Sequence, residues 1–159
     1  MLPTPPEPSP HAHRIGQVLV VVQFLLIGVL ALFAWPVLRQ AAVPLGAWLA
    51  AGLGTLTGLW ALAANRPGNF NIHPAPRAGG QLVQHGPYRW IRHPMYSAVL
   101  CFGVACAWAS GSVPGWAGAA LLAVVLALKA GFEERWMLAV HPGYAAYRAR
   151  SWRFVPGLY

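Results

Sequence analysis

Two clusters in this chain have the residue types and spacing to do chemistry. The first is His85-Gly86-Pro87-Tyr88-Arg89-Trp90-Ile91-Arg92-His93-Pro94-Met95-Tyr96, twelve residues holding two His, two Arg, two Tyr and a Trp. The second is Lys129 followed one helical turn later by the pair Glu133-Glu134, which together with Glu7 makes up the acidic content of the chain. Two like charges side by side at a membrane boundary are costly unless something positive meets them. Ion pairing with Arg89, Arg92 or Arg135 would answer that cost. Alternatively, one Glu receives the ammonium or the ribose hydroxyls of a ligand. Lys129 either snorkels to the interface or holds an anionic headgroup or carboxylate. The first cluster offers Arg and His as anion partners and Tyr88, Tyr96 and Trp90 as aromatic faces. That set suits a zwitterionic ligand with a sulfonium, which needs a cation–π contact, an anion partner and a carboxylate. Trp90 reads better as an interfacial anchor. No metal is expected, because His73, His85 and His93 have no Cys or carboxylate at ligand spacing. A Ser-His-Asp set is excluded by the lack of any Asp.

The elements that must position these clusters are apolar. Hydrophobic residues make up 57% of the chain and charged residues 9%, where a soluble domain carries about a quarter. The composition is that of a membrane protein. The net charge of +8 raises nucleic acid as a partner, but the eleven Lys and Arg residues flank apolar runs instead of forming a stripe. That arrangement suits anionic headgroups and topology signalling, so no nucleic-acid partner is expected. Cys101 and Cys106 lie about 140° apart around a helix and read as small packing residues.

In chain order, residues 1–14 form a Pro-rich tail expected to be disordered, and not a cleavable signal peptide. Residues 15–64 hold two expected membrane spans. The first, Ile15 to Leu38, has Gln23 as the polar side chain in its middle, which should face another helix; Trp35 and Arg39 mark its far interface. The second runs from near Pro44 to near Asn65. Its Gly54-Thr55-Leu56-Thr57-Gly58 reads as a GxxxG face for close helix packing, not as a phosphate loop. Residues 65–159 form the expected core: a polar loop over 66–92, a hairpin of spans near 94–111 and 114–132 split by Gly111-Ser112-Val113-Pro114-Gly115, and a C-terminal interfacial helix interrupted around His141-Pro142-Gly143. The fold class is therefore all-α integral membrane, with about four transmembrane helices. Ten of the eleven basic residues then share one side, so both termini and the cofactor-binding loop are expected in the cytoplasm.

Gly80-Gln81-Leu82-Val83, Gly86-Pro87-Tyr88, Arg92-His93-Pro94-Met95-Tyr96, Glu133-Glu134 and Tyr144-Ala145-Ala146-Tyr147-Arg148 resemble the isoprenylcysteine carboxyl methyltransferase family. The resemblance extends over residues 66–157 and includes the family's short bacterial members; phospholipid N-methyltransferases share part of the pattern. It implies an S-adenosylmethionine-dependent membrane methyltransferase, placed in a bacterial inner membrane. The backbone near Gly80, Gln81, Leu82 and Val83 would receive adenine. Tyr88, His93, Pro94, Met95 and Tyr96 would line the cofactor, and Glu133 would bind it. Lys129 stands where an Arg that contacts substrate is expected, and Arg92 and Glu134 complete the expected catalytic set. Ala98 replaces a Gly that often follows the Tyr by two residues, a change that would narrow the cofactor channel. The stretch from Glu134 to Tyr144 is one residue short, which would shift the covering helix.

The expected acceptor is lipophilic, an isoprenylcysteine-like carboxylate first and a phospholipid or small amine second. An ammonium acceptor must lose a proton, for which Glu134 or His93 would serve. Two other classes stay open: a non-catalytic protein that binds anionic lipid, and a relative of membrane sterol reductases.

Overall fold

The structure, a computed structural model, describes residues 10–65 and 82–159. Within them the chain forms five α-helices: α1 (Pro10–Arg39), α2 (Leu45–Ala64), α3 (Pro94–Ser110), α4 (Val113–Val140) and α5 (Tyr144–Ala149), with a 3-10 turn at Gly86–Arg89 ahead of α3. Helices α1, α2 and α4 are long and apolar enough to cross a membrane, and α3 is a shorter apolar helix. The protein is an all-α integral membrane protein. Gly80, Gln81 and most of the expected loop lie outside the described residues.

Helix α1 starts five residues before the expected Ile15, because Pro10 is suited to a first turn, where its missing N–H costs nothing. Helix α2 begins after Pro44 and ends at Asn65, as the sequence indicates. The α3–α4 hairpin turns on Gly111, which has φ of 57°, and on Ser112, whose hydroxyl accepts the Gly115 N–H at 3.1 Å. Helix α4 runs eight residues past the expected end at 132, because nothing between Gly131 and Val140 breaks a helix. At 28 residues it is about 42 Å long, more than a hydrocarbon core of about 30 Å needs. Glu133 and Glu134 thus ride on a rigid helix, not on a separate segment.

Helix α1 packs between α3 and α4. Leu30 is fully buried against Gly118 and Gly103. Further along, Ala34 meets Ala109 and Ala47. This progression sets α1 parallel to α3 and antiparallel to α4. Helix α2 lies on the outer face of α3 through Gly54 and Gly58. A Cβ on Gly54 would stand 3.0 Å from the Ala98 carbonyl oxygen and 3.1 Å from the Cys101 Cβ, so the GxxxG motif is a packing face. Ala98 therefore points at α2, where it meets Gly58, and not into a channel beside Tyr96.

Candidate active site

The end of the bundle where α3 starts and α4 finishes gathers nearly all the charge. Glu134 is its hub, 2% exposed. Its Oε1 accepts from Arg92 Nε at 2.9 Å and from Arg153 Nε at 3.1 Å, and lies 3.3 Å from His93 Nε2. Its Oε2 accepts from Arg153 Nη2 at 3.0 Å and sits 3.6 Å from Arg148 Nε. Neither oxygen is left open. The Arg92 guanidinium is equally engaged, donating also to the backbone oxygens of Ser151 and Arg148.

The segment after α5 is sewn to the sequence cluster ahead of α3. Ile91 and Trp152 form an isolated parallel bridge, with Arg92 N–H donating to the Trp152 oxygen at 2.8 Å and Trp152 N–H to the Trp90 oxygen at 2.9 Å. The His93 N–H donates to the Arg153 oxygen at 3.1 Å, and Ser97 Oγ to the Phe154 oxygen at 2.7 Å. Tyr147 closes the other flank by donating its hydroxyl to the Tyr88 oxygen at 2.6 Å. The C-terminal element thus covers the central motif, through a six-residue helix and an extended strap.

His93 stands between the two carboxylates, its Nδ1 3.3 Å from Glu133 Oε2 and its Nε2 3.3 Å from Glu134 Oε1. Burial opposes its charge, but hydrogen bonds and the negative charges of Glu133 and Glu134 outweigh burial and raise its pKa above the ordinary value. Both ring nitrogens thus face carboxylate oxygens, an arrangement that favours the protonated ring. Tyr96 stacks on His93 with rings 4° from parallel and 5.4 Å between centroids, and its hydroxyl donates to Glu133 Oε1. Phe154 meets both rings edge-on. Glu133 keeps 20% of its side chain exposed, in contrast to its neighbour.

Lys129 corrects the simpler expectation. It does not snorkel: it is 1% exposed, turned into the bundle, with Nζ donating to Gln23 Oε1 at 2.7 Å and lying 5.0 Å from the centroid of the Tyr96 ring. Those two partners supply inside the bundle what water would supply outside it.

Of the other expected residues, Leu82 and Val83 are half-buried in irregular chain, and no described residue bonds their backbone groups. Tyr88 lies in the 3-10 turn. Burial is the main cause that raises its phenol pKa, against a hydrogen bond from the Asn65 side that lowers it. Pro94 is buried as the first residue of α3, and Met95 is half-buried beside it. Trp90 is 44% exposed against Trp60, as suits an anchor. Sequence reasoning left Arg148, Arg153 and Ser151 outside the site. The signal was present: a chain so poor in acid must share its carboxylates among several Arg. Among the described residues, no group of His, Cys, Asp and Glu could hold a metal.

The phospholipid methyltransferase family matches residues 44–142, from the residue before α2 to the turn after α4. The chain belongs to the phospholipid methyltransferase family. It is thus a membrane methyltransferase, and the family implies a lipid substrate. No curated protein matches the chain. The phospholipid methyltransferase match includes Arg92, His93, Tyr96, Lys129, Glu133 and Glu134. It leaves out α1 with Gln23, and α5 with the strap that carries Arg148, Ser151 and Arg153. Two flanking elements therefore complete the charged end of the family's core.

Proposed function

We propose that this protein transfers a methyl group from S-adenosylmethionine to a lipophilic acceptor that reaches the site from the bilayer. The residues fit that cofactor by their chemistry. Glu133 is an acceptor-only carboxylate, partly exposed and fixed by Tyr96 and His93, suited to ribose hydroxyls or an ammonium. Leu82 and Val83 offer backbone groups that no described residue uses, with Gly80 and Gln81 preceding them, and this suits a flat heterocycle. Tyr88 and the His93-Pro94-Met95-Tyr96 segment would line the same ligand. The bound cofactor would supply an activated methyl on a sulfonium.

The chain's own contribution is alignment and exclusion of water, since an in-line displacement needs little acid or base. Arg92 and Glu134, expected among the reacting groups, act in this reading as positioning residues, because their polar atoms are spent on each other and on the strap. With Glu134 engaged by three basic side chains and both His93 nitrogens held against carboxylates, neither is free to take a proton from an ammonium. That favours an acceptor that arrives as an anion, such as the carboxylate of an isoprenylcysteine-like lipid, with Lys129 holding its charge. The family match favours a second reading, N-methylation of a phospholipid amine. Both readings place the termini and the 66–92 loop in the cytoplasm, at the basic end.

The observation that carries the reading is that Glu133 stands partly exposed while Lys129 is buried one turn deeper on the same helix: one group for a polar cofactor, one for an acceptor coming through lipid. Calorimetry of the purified protein in detergent should detect S-adenosylmethionine and no nicotinamide nucleotide. Glu133→Ala should weaken cofactor binding at least tenfold, on the order of the loss of one charge-assisted contact. Unchanged affinity in that variant would sink the assignment.

A further inference from the structure

Gln23 lies outside the residues that match the family, yet its side chain reaches the centre of the site. It is 7% exposed on α1, and its amide oxygen accepts from the Lys129 ammonium. An ammonium can donate only to the oxygen of an amide, so this contact fixes which way the amide faces. The NH2 of Gln23 is thereby presented on the other side, and no described residue accepts from it. It is also not among side-chain atoms buried without a partner, so it is reachable.

The neighbours sharpen the point. Among the described residues no carboxylate pairs with Lys129. Glu133, one turn away, spends Oε1 on the Tyr96 hydroxyl and Oε2 on His93 Nδ1. The Tyr96 hydroxyl is used there, and its ring face meets the ammonium. What touches Lys129 directly is the Gln23 amide and the Tyr96 ring face, with no carboxylate oxygen of a described residue within ion-pairing distance of the ammonium. In an apolar interior a charge without a counterion is costly, and a cation so placed rejects an amine while fitting anionic oxygen.

We propose that Gln23 and Lys129 together read the anionic oxygens of the acceptor, Gln23 both holding the ammonium in place and adding its NH2 as a second donor. This makes α1 a specificity-determining part of the site, and it rests on the proposed function only in taking the occupant to be the methyl acceptor. The shared chemistry is an oxyanion on a hydrocarbon chain, either a carboxylate or a phosphate.

The test uses the full chain in phosphatidylcholine nanodiscs, titrated with dodecanoate, dodecyl phosphate, dodecylamine and dodecanol. The wild-type protein should bind at least one of the two anions about tenfold more tightly than the alcohol, roughly the worth of one charge-assisted hydrogen bond. The tighter anion identifies the oxyanion. Dodecylamine should bind no better than the alcohol. Gln23→Glu places a carboxylate on Lys129 and should abolish the preference while keeping the helix packed. Gln23→Leu should reduce it about tenfold, and in transfer assays should raise KM for the acceptor more than it lowers kcat. Equal binding of anions and alcohol by the wild-type protein overturns the proposal, as does a Gln23→Glu protein that keeps the full preference. The wild-type arm needs no variant to fold. Calorimetry with S-adenosylmethionine on the same preparation separates the two readings. Anion preference without cofactor binding defeats the methyltransferase reading alone, and cofactor binding without anion preference defeats this one alone.

Discussion

Arg153 lies fork-on to Glu134, Nε to Oε1 at 3.1 Å and Nη2 to Oε2 at 3.0 Å, so a residue near the end of the chain is clamped to the last turns of α4. Arg92 and His93 hold the same carboxylate from the start of α3. One buried anion therefore ties three separate stretches of chain together. Replacing it with an amide removes the charge and leaves Arg92 and Arg153 facing each other. Glu134→Gln should cost about 3–5 kcal/mol, the usual result of breaking a buried pair from one side. In detergent it should lower Tm and expose the strap after Arg150 to protease. Glu133→Gln, at a more exposed carboxylate with fewer partners, should cost far less. A Glu134→Gln protein as stable and protease-resistant as the wild type would refute the hub.

Much of this arrangement was legible in the sequence, for particular reasons. The α2 limits at Pro44 and Asn65 and the hairpin at Gly111-Ser112 follow from local punctuation, which tertiary structure had no cause to override. The GxxxG face at Gly54 was legible because lipid leaves close packing as the main force between helices. The inward turn of Lys129 was not, since snorkelling depends on whether a partner waits inside. That partner, Gln23, lies 106 positions away in the chain. The division of labour between Glu133 and Glu134 was equally hidden. Adjacent residues on a helix point about 100° apart, and only packing tells which one faces the Arg cluster.

His93 makes stability depend on pH with a definite sign. Its pKa is raised in the folded protein above the ordinary 6.5, by Glu133 and Glu134 against the opposing effect of burial. A raised pKa means that its contribution is fully present below about pH 6.5 and is lost as pH climbs through the higher folded value. Tm in detergent should therefore fall as pH rises above 6.5. His93→Gln, which cannot carry the proton, should be less stable at pH 6 and should show a flatter profile over that range. A variant with the wild-type slope would assign the dependence to another group.

Gly86 is constrained twice, and its replacement should be felt at Tyr88. Its φ of 59° is left-handed, and an added Cβ would stand 2.7 Å from the Ala64 Cβ at the end of α2. The backbone conformation alone costs about 1–2 kcal/mol for an L-residue, and the contact adds to it. Gly86→Ala should lower Tm by several degrees and should weaken S-adenosylmethionine binding, because the 3-10 turn carrying Tyr88 must shift from α2. Gly111→Ala is the matched control. Its φ of 57° lies in the same left-handed region, but nothing lies within 4 Å and it sits at the other end of α3. It should lower Tm through the backbone term only and leave cofactor affinity unchanged.

The packing of α2 on α3 can be tested within one helix. Gly52 and Gly54 are two residues apart on α2, yet a Cβ at Gly52 meets nothing within 4 Å, while one at Gly54 meets the Ala98 carbonyl oxygen at 3.0 Å, the Cys101 Cβ at 3.1 Å and the Phe102 ring at 3.3 Å. Backbone and a helix-borne Cβ cannot retreat as a flexible side chain can, so the helices must separate to admit a branched residue. Gly54→Val should destabilise by about 1–3 kcal/mol, the range for overpacking. Gly52→Val should be neutral within about 0.5 kcal/mol, as expected for an open position. The loss at Gly54 should also reach the site, since α2 carries Ala64 and Asn65 up to Gly86 and Tyr88. Cofactor affinity should fall in Gly54→Val and hold in Gly52→Val. Equal effects at both positions would mean that α2 does not pack on α3 through this face.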